Sequence, residues 1–302
     1  MTGIVSVTGA SGWLGKSTLE VLLASGYDMS KVIALASTQK MIHLSNGSTV
    51  QAHPISSPPA EIAETEMLIH LAYLTRDKVE STGFDNYVLT NLDLTSIALR
   101  WLEEYPIKSF ITVSSGARNN QSTGNPETDI HANPYGFLKR VDELIFEDQC
   151  KRRGINSVIT RLWGATGVDM QDAGKYAIGN FVISALNEGA IHIMSGHRVV
   201  RRYVDSREFM EVCIRMAQAG ISDNFDSGGP EVEIGELASE IARQIDAEIK
   251  VSRSISRNQP DDLYFPSGTA FEKNALSVGL ELSSISMQIS NTIAGQRALF
   301  SN

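Results

Sequence analysis

The sequence has few cysteines, no excess of basic charge and no long apolar run. Its two cysteines, Cys150 and Cys213, are too few for a disulfide framework and lack the spacing of metal ligands. No apolar run reaches the roughly 18 residues of a membrane-spanning helix. Acidic side chains outnumber basic ones by 35 to 26, which gives a formal charge of −9. The basic face of a nucleic-acid-binding protein is therefore not expected, whereas 42% hydrophobic residues suffice for a globular core.

A charged leader and a cluster of metal-binding residues are also missing. Met1 is followed at once by the strand-like run of residues 4–7, so we expect a cytoplasmic protein without membrane contact. The six histidines show no pairing at helical spacing and no grouping with other ligands. No metal site is therefore expected.

Short β-branched runs alternate with amphipathic stretches in the first half of the chain. The predicted strands cover residues 4–8, 31–36, 48–51, 67–71, 107–113 and 155–160, and the clearest helices cover residues 16–24, 84–104 and 134–153. Strands that alternate with helices predict a parallel sheet covered on both faces, which is the doubly wound α/β class.

The helix at residues 134–153 has clear signals at both ends. Asn133 can cap its N-terminus, Pro134 fits the first turn, and Gly154 follows its end. The carboxylates between residues 142 and 148 are expected on a solvated face. The apolar residues at helical spacing, which predict the buried stripe, are Leu138, Val141, Leu144 and Ile145.

Three glycines fall where the first strand should pass into the first helix. Gly9, Gly12 and Gly15 would allow a tight turn, so that backbone N–H groups approach a pyrophosphate at the helix N-terminus. We therefore predict a dinucleotide site at this turn. The intervening residues whose amides are expected to contribute are Ser11, Trp13 and Leu14, although the side chains of the last two fit core contacts better.

The same segment also satisfies a relaxed phosphate-binding loop of nucleotide triphosphatases. In that alternative Lys16 would reach the phosphates and Ser17 would hold Mg²⁺. It is disfavoured because no following strand ends in a Mg²⁺-binding aspartate.

The end of the second strand bears on the choice of dinucleotide. NAD sites usually have a carboxylate about 20 residues past the glycines, which binds the ribose hydroxyls. No Asp or Glu occurs between Asp28 and Glu61, and the strand instead leads into Ser37 and Lys40. A hydroxyl and an ammonium would bind a 2′-phosphate. The sequence therefore favours NADP over NAD as the cofactor.

The pattern of strands and helices loosens after about residue 165. Helical and strand-like segments are less regular there, and residues 227–230 form a glycine-rich turn. We expect a dinucleotide-binding domain at residues 1–165, with a return segment at about 198–225. Residues 166–197 and 226–302 would form a smaller, mixed α/β substrate-binding lobe.

A tyrosine and a lysine four residues apart occur twice in the sequence. Tyr135 and Lys139 share one face of a predicted helix, and a fixed ammonium stabilises a phenolate so that the tyrosine can exchange protons with substrate. Tyr27 and Lys31 have the same spacing, but they would lie at the N-terminal edge of the sheet, away from the ligand-binding edge. We therefore predict Tyr135 and Lys139 as the catalytic pair.

Two serines end the strand that precedes this helix. Ser115 can donate to the same substrate oxygen as Tyr135 and is predicted to be catalytic. Ser114 fits strand-end capping better, and contact with substrate is its alternative.

Together these features resemble the extended short-chain dehydrogenase/reductase family, within it the NAD-dependent epimerase/dehydratase group that modifies nucleotide sugars. Residues 69–72 (Ile-His-Leu-Ala) are similar to its fourth-strand signature, and residues 161–167 to the segment that opens its substrate lobe. Residues 201–205 and 225–229 are similar to its C-terminal signatures. The resemblance covers nearly the whole chain.

The resemblance implies roles for further residues and an assembly. Cofactor contacts would come from Leu71, Ala72, Tyr73, Asn91 and Lys139, in addition to the glycine turn. Substrate contacts would come from Ser114, Arg161, Asn180, Arg201 and Arg202. Arg201 or Arg202 would hold a diphosphate, and a surface ion pair is the alternative for these two residues. The helices at residues 84–104 and 134–153 would pair across a homodimer.

Departures from the family pattern limit the chemistry. Ser115 is followed by Gly116 and Ala117, where sugar 4,6-dehydratases have Asp-Glu and fucose synthases have a cysteine at the second position. Gly164 and Thr166 replace an asparagine and a tyrosine that often occur there, and Tyr73 replaces a common alanine near the nicotinamide. These changes argue against dehydration and indicate an altered pocket.

The remaining chemistry is oxidation or reduction at one carbon of the sugar. The carboxylate-free second strand favours an NADPH-dependent 4-keto-sugar reductase, and a 4-epimerase with NAD is the alternative. A hydroxysteroid or flavonol-type reductase and a dinucleotide sensor without catalysis are further alternatives. Neither the base nor the sugar follows from the sequence.

Overall fold

The computed structural model describes residues 3–120, 124–254 and 259–300. Its helices are α1 (Trp13–Ala24), α2 (Val79–Thr82), α3 (Phe84–Glu104), α4 (Pro134–Arg153), α5 (Ala177–Glu188), α6 (Ser206–Gln218), α7 (Ile234–Ile245), α8 (Ala270–Ser277) and α9 (Ile285–Phe300). Its strands are β1 (Ile4–Thr8), β2 (Val32–Ala36), β3 (Lys40–His43), β4 (Thr49–Pro54), β5 (Thr65–His70), β6 (Ser109–Ser115), β7 (Asn156–Leu162), β8 (Ala165–Thr166), β9 (Ala190–Ile193), β10 (Val199–Arg202), β11 (Val204–Asp205), β12 (Asp223–Asp226), β13 (Glu231–Glu233), β14 (Lys250–Arg253) and β15 (Asp262–Tyr264).

The described residues contain a large sheet with the strand order β12-β7-β6-β5-β1-β2-β4-β3. Its neighbouring strands run parallel, apart from the antiparallel pair β3 and β4. Every residue of β2 is buried, as expected for a strand covered on both faces. The doubly wound α/β class predicted from the sequence is confirmed. Because strand order reverses between β1 and β5, the sheet has a switch point beside β1, where such sheets bind ligands.

Strand β3 was not predicted. It is four residues long, and its side chains are exposed except for that of Ile42, so it lacks the apolar run that marks the inner strands. It forms a hairpin with β4, in which Gly47 takes a φ of +82°. An edge strand of this kind is stabilised by its pairing with β4 rather than by burial.

Helix α4 has the predicted bounds and caps but not the predicted buried face. Asn133 Oδ1 accepts from Gly136 N, and Gly154 adopts the left-handed conformation at the C-terminus. Leu138 is buried, whereas the Leu144 side chain is 58% exposed and that of Ile145 is 36% exposed. The expectation that the carboxylates of this helix are solvated is wrong for Asp142 and Glu143, which are both buried. These carboxylates have polar partners in the fold, which apolar periodicity does not register.

The chain divides into two compact units. The first comprises residues 1–162 and 210–226 and contains the large sheet; the second comprises residues 163–209 and 227–302. Strand β12 belongs to the first unit, where it pairs with β7 at one edge of the sheet. No helix among the described residues is long and apolar enough to cross a membrane.

The second unit contains short strands in small sheets together with α5, α7, α8 and α9. Strand β10 pairs with β13 and β15, whereas β11 pairs with β8. Residues 199–204, whose strand-like pattern predicts one strand, therefore contribute to two strands in different sheets. The strands β13, β14 and β15 and the helix α8 were not predicted, because each is too short to show a period.

Candidate active site

The turn after β1 carries glycines where side chains do not fit. Gly9 has a φ of +66°, and a Cβ on it would lie 2.7 Å from the backbone nitrogen of Ala72. A Cβ on Gly15 would lie 2.1 Å from the carbonyl oxygen of Gly9, so α1 packs directly on the turn. Gly12 is the N-cap of α1 without a side-chain cap, and no acidic residue lies in the first turn. This arrangement fits the pyrophosphate of a dinucleotide.

The residues between these glycines lie at the start of α1. Ser11, Trp13 and Leu14 are half-buried there. Ser17, the Mg²⁺ ligand of the triphosphatase alternative, is fully buried. Its hydroxyl is therefore inaccessible to a hydrated cation, which disfavours that alternative further.

Thr8 connects the glycine turn to the end of β5. Its Oγ1 accepts from Leu71 N at 3.0 Å and from Ala72 N at 3.1 Å, and it lies 2.9 Å from His70 Nδ1. Burial lowers the pKa of His70 to about 3, and the charge of Lys139 acts in the same direction. His70 is therefore neutral, and since Thr8 Oγ1 already accepts two hydrogen bonds, its own proton is donated to Nδ1.

Asn91 holds the segment that follows β5. Its Oδ1 accepts from Leu74 N at 2.8 Å, and its Nδ2 donates to Tyr87 O at 3.2 Å. The Tyr87 hydroxyl donates to Leu74 O at 2.8 Å. Asn91 is only 1% exposed, so these contacts give it a role in shaping the backbone of residues 71–74. Direct contact with the cofactor stays a prediction.

The end of β2 lies beside the glycine turn. Ala10 N donates to Leu35 O at 2.9 Å, which brings the two segments together. Ser37 follows β2 and is exposed, and the exposed Lys40 begins β3 opposite Ala52. Both predicted phosphate ligands are therefore accessible near the predicted dinucleotide site.

The two serines at the end of β6 differ in their surroundings. Ser115 is half-buried, and its Oγ accepts from Ala117 N at 3.2 Å, which leaves its proton for donation. Ser114 is 5% exposed, and its Oγ has no hydrogen-bond partner within the described part of the chain. Of the two, Ser115 has the geometry of a donor to substrate.

The start of α4 packs tightly on the turn after Ser115. Asn133 Nδ2 donates to Ala117 O at 2.9 Å while its Oδ1 caps the helix. A Cβ on Gly136 would lie 1.9 Å from Ala117 O, so only glycine permits this approach. The close packing brings the first turn of α4, which carries Tyr135, to the C-terminal end of β6.

Lys139 is anchored at the same end of β6. Its side chain is 8% exposed, and its Nζ donates to Val113 O at 2.9 Å and lies 3.6 Å from the centroid of the Tyr73 ring. The rings of Tyr73 and Tyr135 meet edge to face, with centroids 5.9 Å apart. The structure thus brings together Tyr135, Lys139 and the end of β6, as the spacing predicts.

Asp142 is a buried carboxyl group one helical turn beyond Lys139. Thr95 Oγ1 of α3 donates to its Oδ1 at 2.7 Å. Burial raises the pKa of Asp142 to about 6, although the charge of Lys139 and the hydrogen bond from Thr95 oppose this shift. The same burial lowers the pKa of Lys139 to about 8, against the charges of Asp142 and Glu143. Sequence reasoning missed Asp142 because a carboxylate in a charged helix usually faces solvent.

Arg161 lies in an ion-pair network of the first unit. Its Nη1 is 3.0 Å from Glu143 Oε2, and its Nε is 2.8 Å from Asp226 Oδ1. Arg118 binds the same Glu143 oxygen at 2.5 Å. These contacts join α4, β7 and β12. Direct contact of Arg161 with substrate stays a prediction.

The remaining predicted substrate ligands belong to the second unit. Asn180 is exposed on α5. Arg201 on β10 pairs with both carboxylate oxygens of Asp262, at 3.1 and 2.7 Å. Arg202 donates to Gly268 O at 3.0 Å, and its Nε lies 3.9 Å from Glu231 Oε2. Both arginines therefore have partners within this unit, and their contact with a diphosphate stays a prediction.

The packing around Gly164 explains why a glycine stands where the family often has an asparagine. A Cβ at this position would lie 2.4 Å from Arg202 O, so no asparagine fits here without a shift of the backbone. The diphosphate contact that an asparagine often makes is therefore absent from this position.

The second tyrosine–lysine match has a structural explanation. The Tyr27 hydroxyl donates to Gly3 O at the start of β1, and Lys31 lies at the start of β2. Both are at the N-terminal edge of the sheet, as predicted. Among the described residues no group of His, Cys, Asp or Glu is arranged to hold a metal ion.

Comparison with known proteins gives a family match and similar folds. The model of the NAD dependent epimerase/dehydratase family matches residues 5–229. No curated protein sequence matches the chain. A UDP-N-acetylglucosamine 4-epimerase from Methanobrevibacter ruminantium is similar in structure, with a TM-score of 0.78 and 17% identity over 98% of this chain and 99% of that chain.

Two further solved structures are similar. A UDP-glucose 4-epimerase from Thermotoga maritima has a TM-score of 0.70 and 19% identity over 98% of this chain and 99% of that chain. An NAD-dependent NDP-hexosamine 5,6-dehydratase of tunicamycin biosynthesis has a TM-score of 0.76 and 14% identity over 97% of each chain. At these identities the likeness establishes the fold.

Proposed function

This chain belongs to the NAD-dependent epimerase/dehydratase family, and we propose that it is an oxidoreductase of a nucleotide-activated sugar with Tyr135 as its general acid and base. The observation that carries the proposal is the anchoring of Lys139 to Val113 O, on the same helix face as Tyr135 and at the strand end that carries Ser115. The glycine turn after β1 supports a dinucleotide in the same unit.

The proposed chemistry divides between the cofactor and the chain. Bound NAD or NADP would exchange a hydride with the sugar carbon. Ser115 donates a hydrogen bond to the oxygen on that carbon and orients it. Tyr135 takes or returns the proton of that oxygen, and the ammonium of Lys139 stabilises its phenolate.

The substitution Tyr135→Phe tests this assignment. It removes the proton donor but keeps the ring, so turnover of a UDP-sugar panel should fall by at least about a hundredfold, while NAD affinity measured by fluorescence stays unchanged. The matched control is Tyr27→Phe, at the second tyrosine–lysine match, which should retain turnover. Near-normal turnover in the Tyr135→Phe variant would contradict the assignment.

Two reactions are compatible with this site. The carboxylate-free end of β2, with Ser37 and Lys40 exposed, supports an NADPH-dependent 4-keto-sugar reductase, because a hydroxyl and an ammonium favour a 2′-phosphate. The similar folds of two 4-epimerases support the alternative, a 4-epimerase that retains NAD.

Product analysis separates the two reactions. A 4-epimerase interconverts two sugars without added reduced cofactor, whereas a reductase consumes one NADPH for each product. We expect tighter binding of NADPH than of NADH, and mass spectrometry of the purified protein would identify any retained cofactor and nucleotide. Markedly tighter binding of NADH would contradict the NADP preference.

A further inference from the structure

The segment of residues 71–74 is fastened at both ends. Leu71 N and Ala72 N donate to Thr8 Oγ1, and the peptide groups of Leu74 bind Asn91 and Tyr87. These bonds reach β1 on one side and α3 on the other. Tyr73 lies between the two fastenings, so its backbone has little freedom to move.

The Tyr73 ring contacts both members of the catalytic pair. Its face lies 3.6 Å from Lys139 Nζ, and Tyr135 packs against it edge to face at a centroid distance of 5.9 Å. An ammonium above a tyrosine ring is attracted by the negative ring face, and more strongly when water is excluded. The Tyr73 hydroxyl is buried and has no hydrogen-bond partner among the described residues. The contacts that Tyr73 makes with Lys139 and Tyr135 are therefore made by its ring.

The surroundings of Lys139 offer few groups that stabilise its positive charge. Its ammonium is nearly buried, and among the described residues it donates a single hydrogen bond, to Val113 O. A buried ammonium with one acceptor tends to lose its proton, and a neutral amine would no longer stabilise a phenolate. An aromatic face stabilises the charged form without competing for the two remaining N–H donors.

We propose that Tyr73 is a positioning residue whose ring face keeps the Lys139 ammonium charged and in place beside Tyr135. The inference rests on the proposed function for the role of Tyr135. The other titratable groups around Lys139 are His70 on β5 together with Tyr135, Asp142 and Glu143 on α4. His70 is neutral and the two carboxyl groups are present in every variant below, so the ring is the group that the experiment changes.

The test follows the titration of Tyr135 by the ultraviolet absorbance of phenolate in the full chain. Each titration is compared with that of the same variant carrying Tyr135→Phe, which isolates the signal of Tyr135. Tyr73→Phe keeps the ring face and should titrate like the wild type. Tyr73→Leu removes the face and should raise the midpoint by about one pH unit, equivalent to about 1.4 kcal/mol.

A fluorinated side chain separates ring charge from packing. Pentafluorophenylalanine at position 73 keeps the shape of phenylalanine but reverses the charge of its face, so it should raise the midpoint at least as much as Tyr73→Leu. If circular dichroism shows that the Tyr73→Leu variant fails to fold, the fluorinated variant alone decides the test. An unchanged midpoint in the fluorinated variant would overturn the proposal.

The titration tests the role of Tyr73 and the turnover assay tests the proposed function, so one proposal can fail while the other holds. A raised midpoint in a protein that converts no nucleotide sugar supports the role of Tyr73 and contradicts the proposed substrate. Turnover with an unchanged midpoint supports the proposed function and contradicts the role of Tyr73. A wild-type Tyr135 that titrates no earlier than an ordinary tyrosine, in a protein that converts no nucleotide sugar, overturns both.

Discussion

At the scale of single residues, Asp142 stands out because a carboxyl group is buried one turn from a buried ammonium. Burial raises its pKa to about 6, above the value of about 3.9 in an unfolded chain. The contribution of this group to stability is therefore fully present below about pH 3.9 and is lost as the pH rises through 6.

The substitution Asp142→Asn tests this pH dependence. Relative to the variant, the wild type should lose on the order of 2–3 kcal/mol of unfolding free energy between pH 4 and pH 7, measured by urea denaturation. Asp148→Asn, at an exposed position of the same helix, is the control for loss of one charge. A wild-type curve parallel to that of the Asp142→Asn variant would contradict the assignment of this titration.

The arrangement of Tyr135 and Lys139 could be predicted from the sequence, and the groups around them could not. Tyr135 and Lys139 differ from Tyr27 and Lys31 in the edge of the sheet at which they lie. The order of strands and helices along the chain predicts that difference. Asp142 shows no signal of burial, because its partner Thr95 lies 47 positions away in the sequence. Pairings between distant segments are not encoded in any local pattern.

At the scale of elements, the start of α4 depends on a glycine. A Cβ on Gly136 would lie 1.9 Å from Ala117 O and 2.3 Å from Asn133 Nδ2. Gly136→Ala should therefore push the helix away from the turn after β6 and misalign Tyr135 with Ser115.

We expect Gly136→Ala to lower the unfolding free energy by about 1–3 kcal/mol and to reduce turnover more than cofactor affinity. Urea denaturation and steady-state kinetics measure the two effects. Gly174→Ala is the matched control, because a Cβ there meets only one side-chain atom, at 4.0 Å. Wild-type stability and turnover in the Gly136→Ala variant would show that the helix can shift without consequence.

The elements differ in how far the sequence predicts them. The bounds of α3 and α4 match the prediction because these helices are long, and α4 also carries a capping asparagine and a terminal glycine. Strand β3 is short and mostly exposed, so its pairing with β4 decides its structure. Residues 199–204 form one continuous strand-like run but contribute to two sheets, because partner strands from elsewhere in the chain determine where β10 ends.

At the scale of the whole molecule, two helices of the first unit carry exposed apolar side chains. Leu89 on α3 and Leu144 on α4 are each 58% exposed, and α3 and α4 are joined by the bond between Thr95 and Asp142. An interface would bury such side chains, and we expect them to lie in the homodimer that the family resemblance implies.

The double substitution Leu89→Glu with Leu144→Glu should therefore convert a dimer into a monomer, because it would bury four carboxylates in a symmetric interface. Sedimentation velocity measures the change. Leu276→Glu, at an 80% exposed leucine of the second unit, should leave the assembly intact. A monomeric wild type would rule out the dimer.

The two hydrogen bonds of the Asn133 side chain have a consequence for how this protein can change over evolution. Its amide donates to Ala117 O and caps the first turn of α4, and so joins the two segments. The end of β6 and the start of α4 therefore depend on one side chain, so a change at position 133 would affect the positions of Ser115 and Tyr135 together.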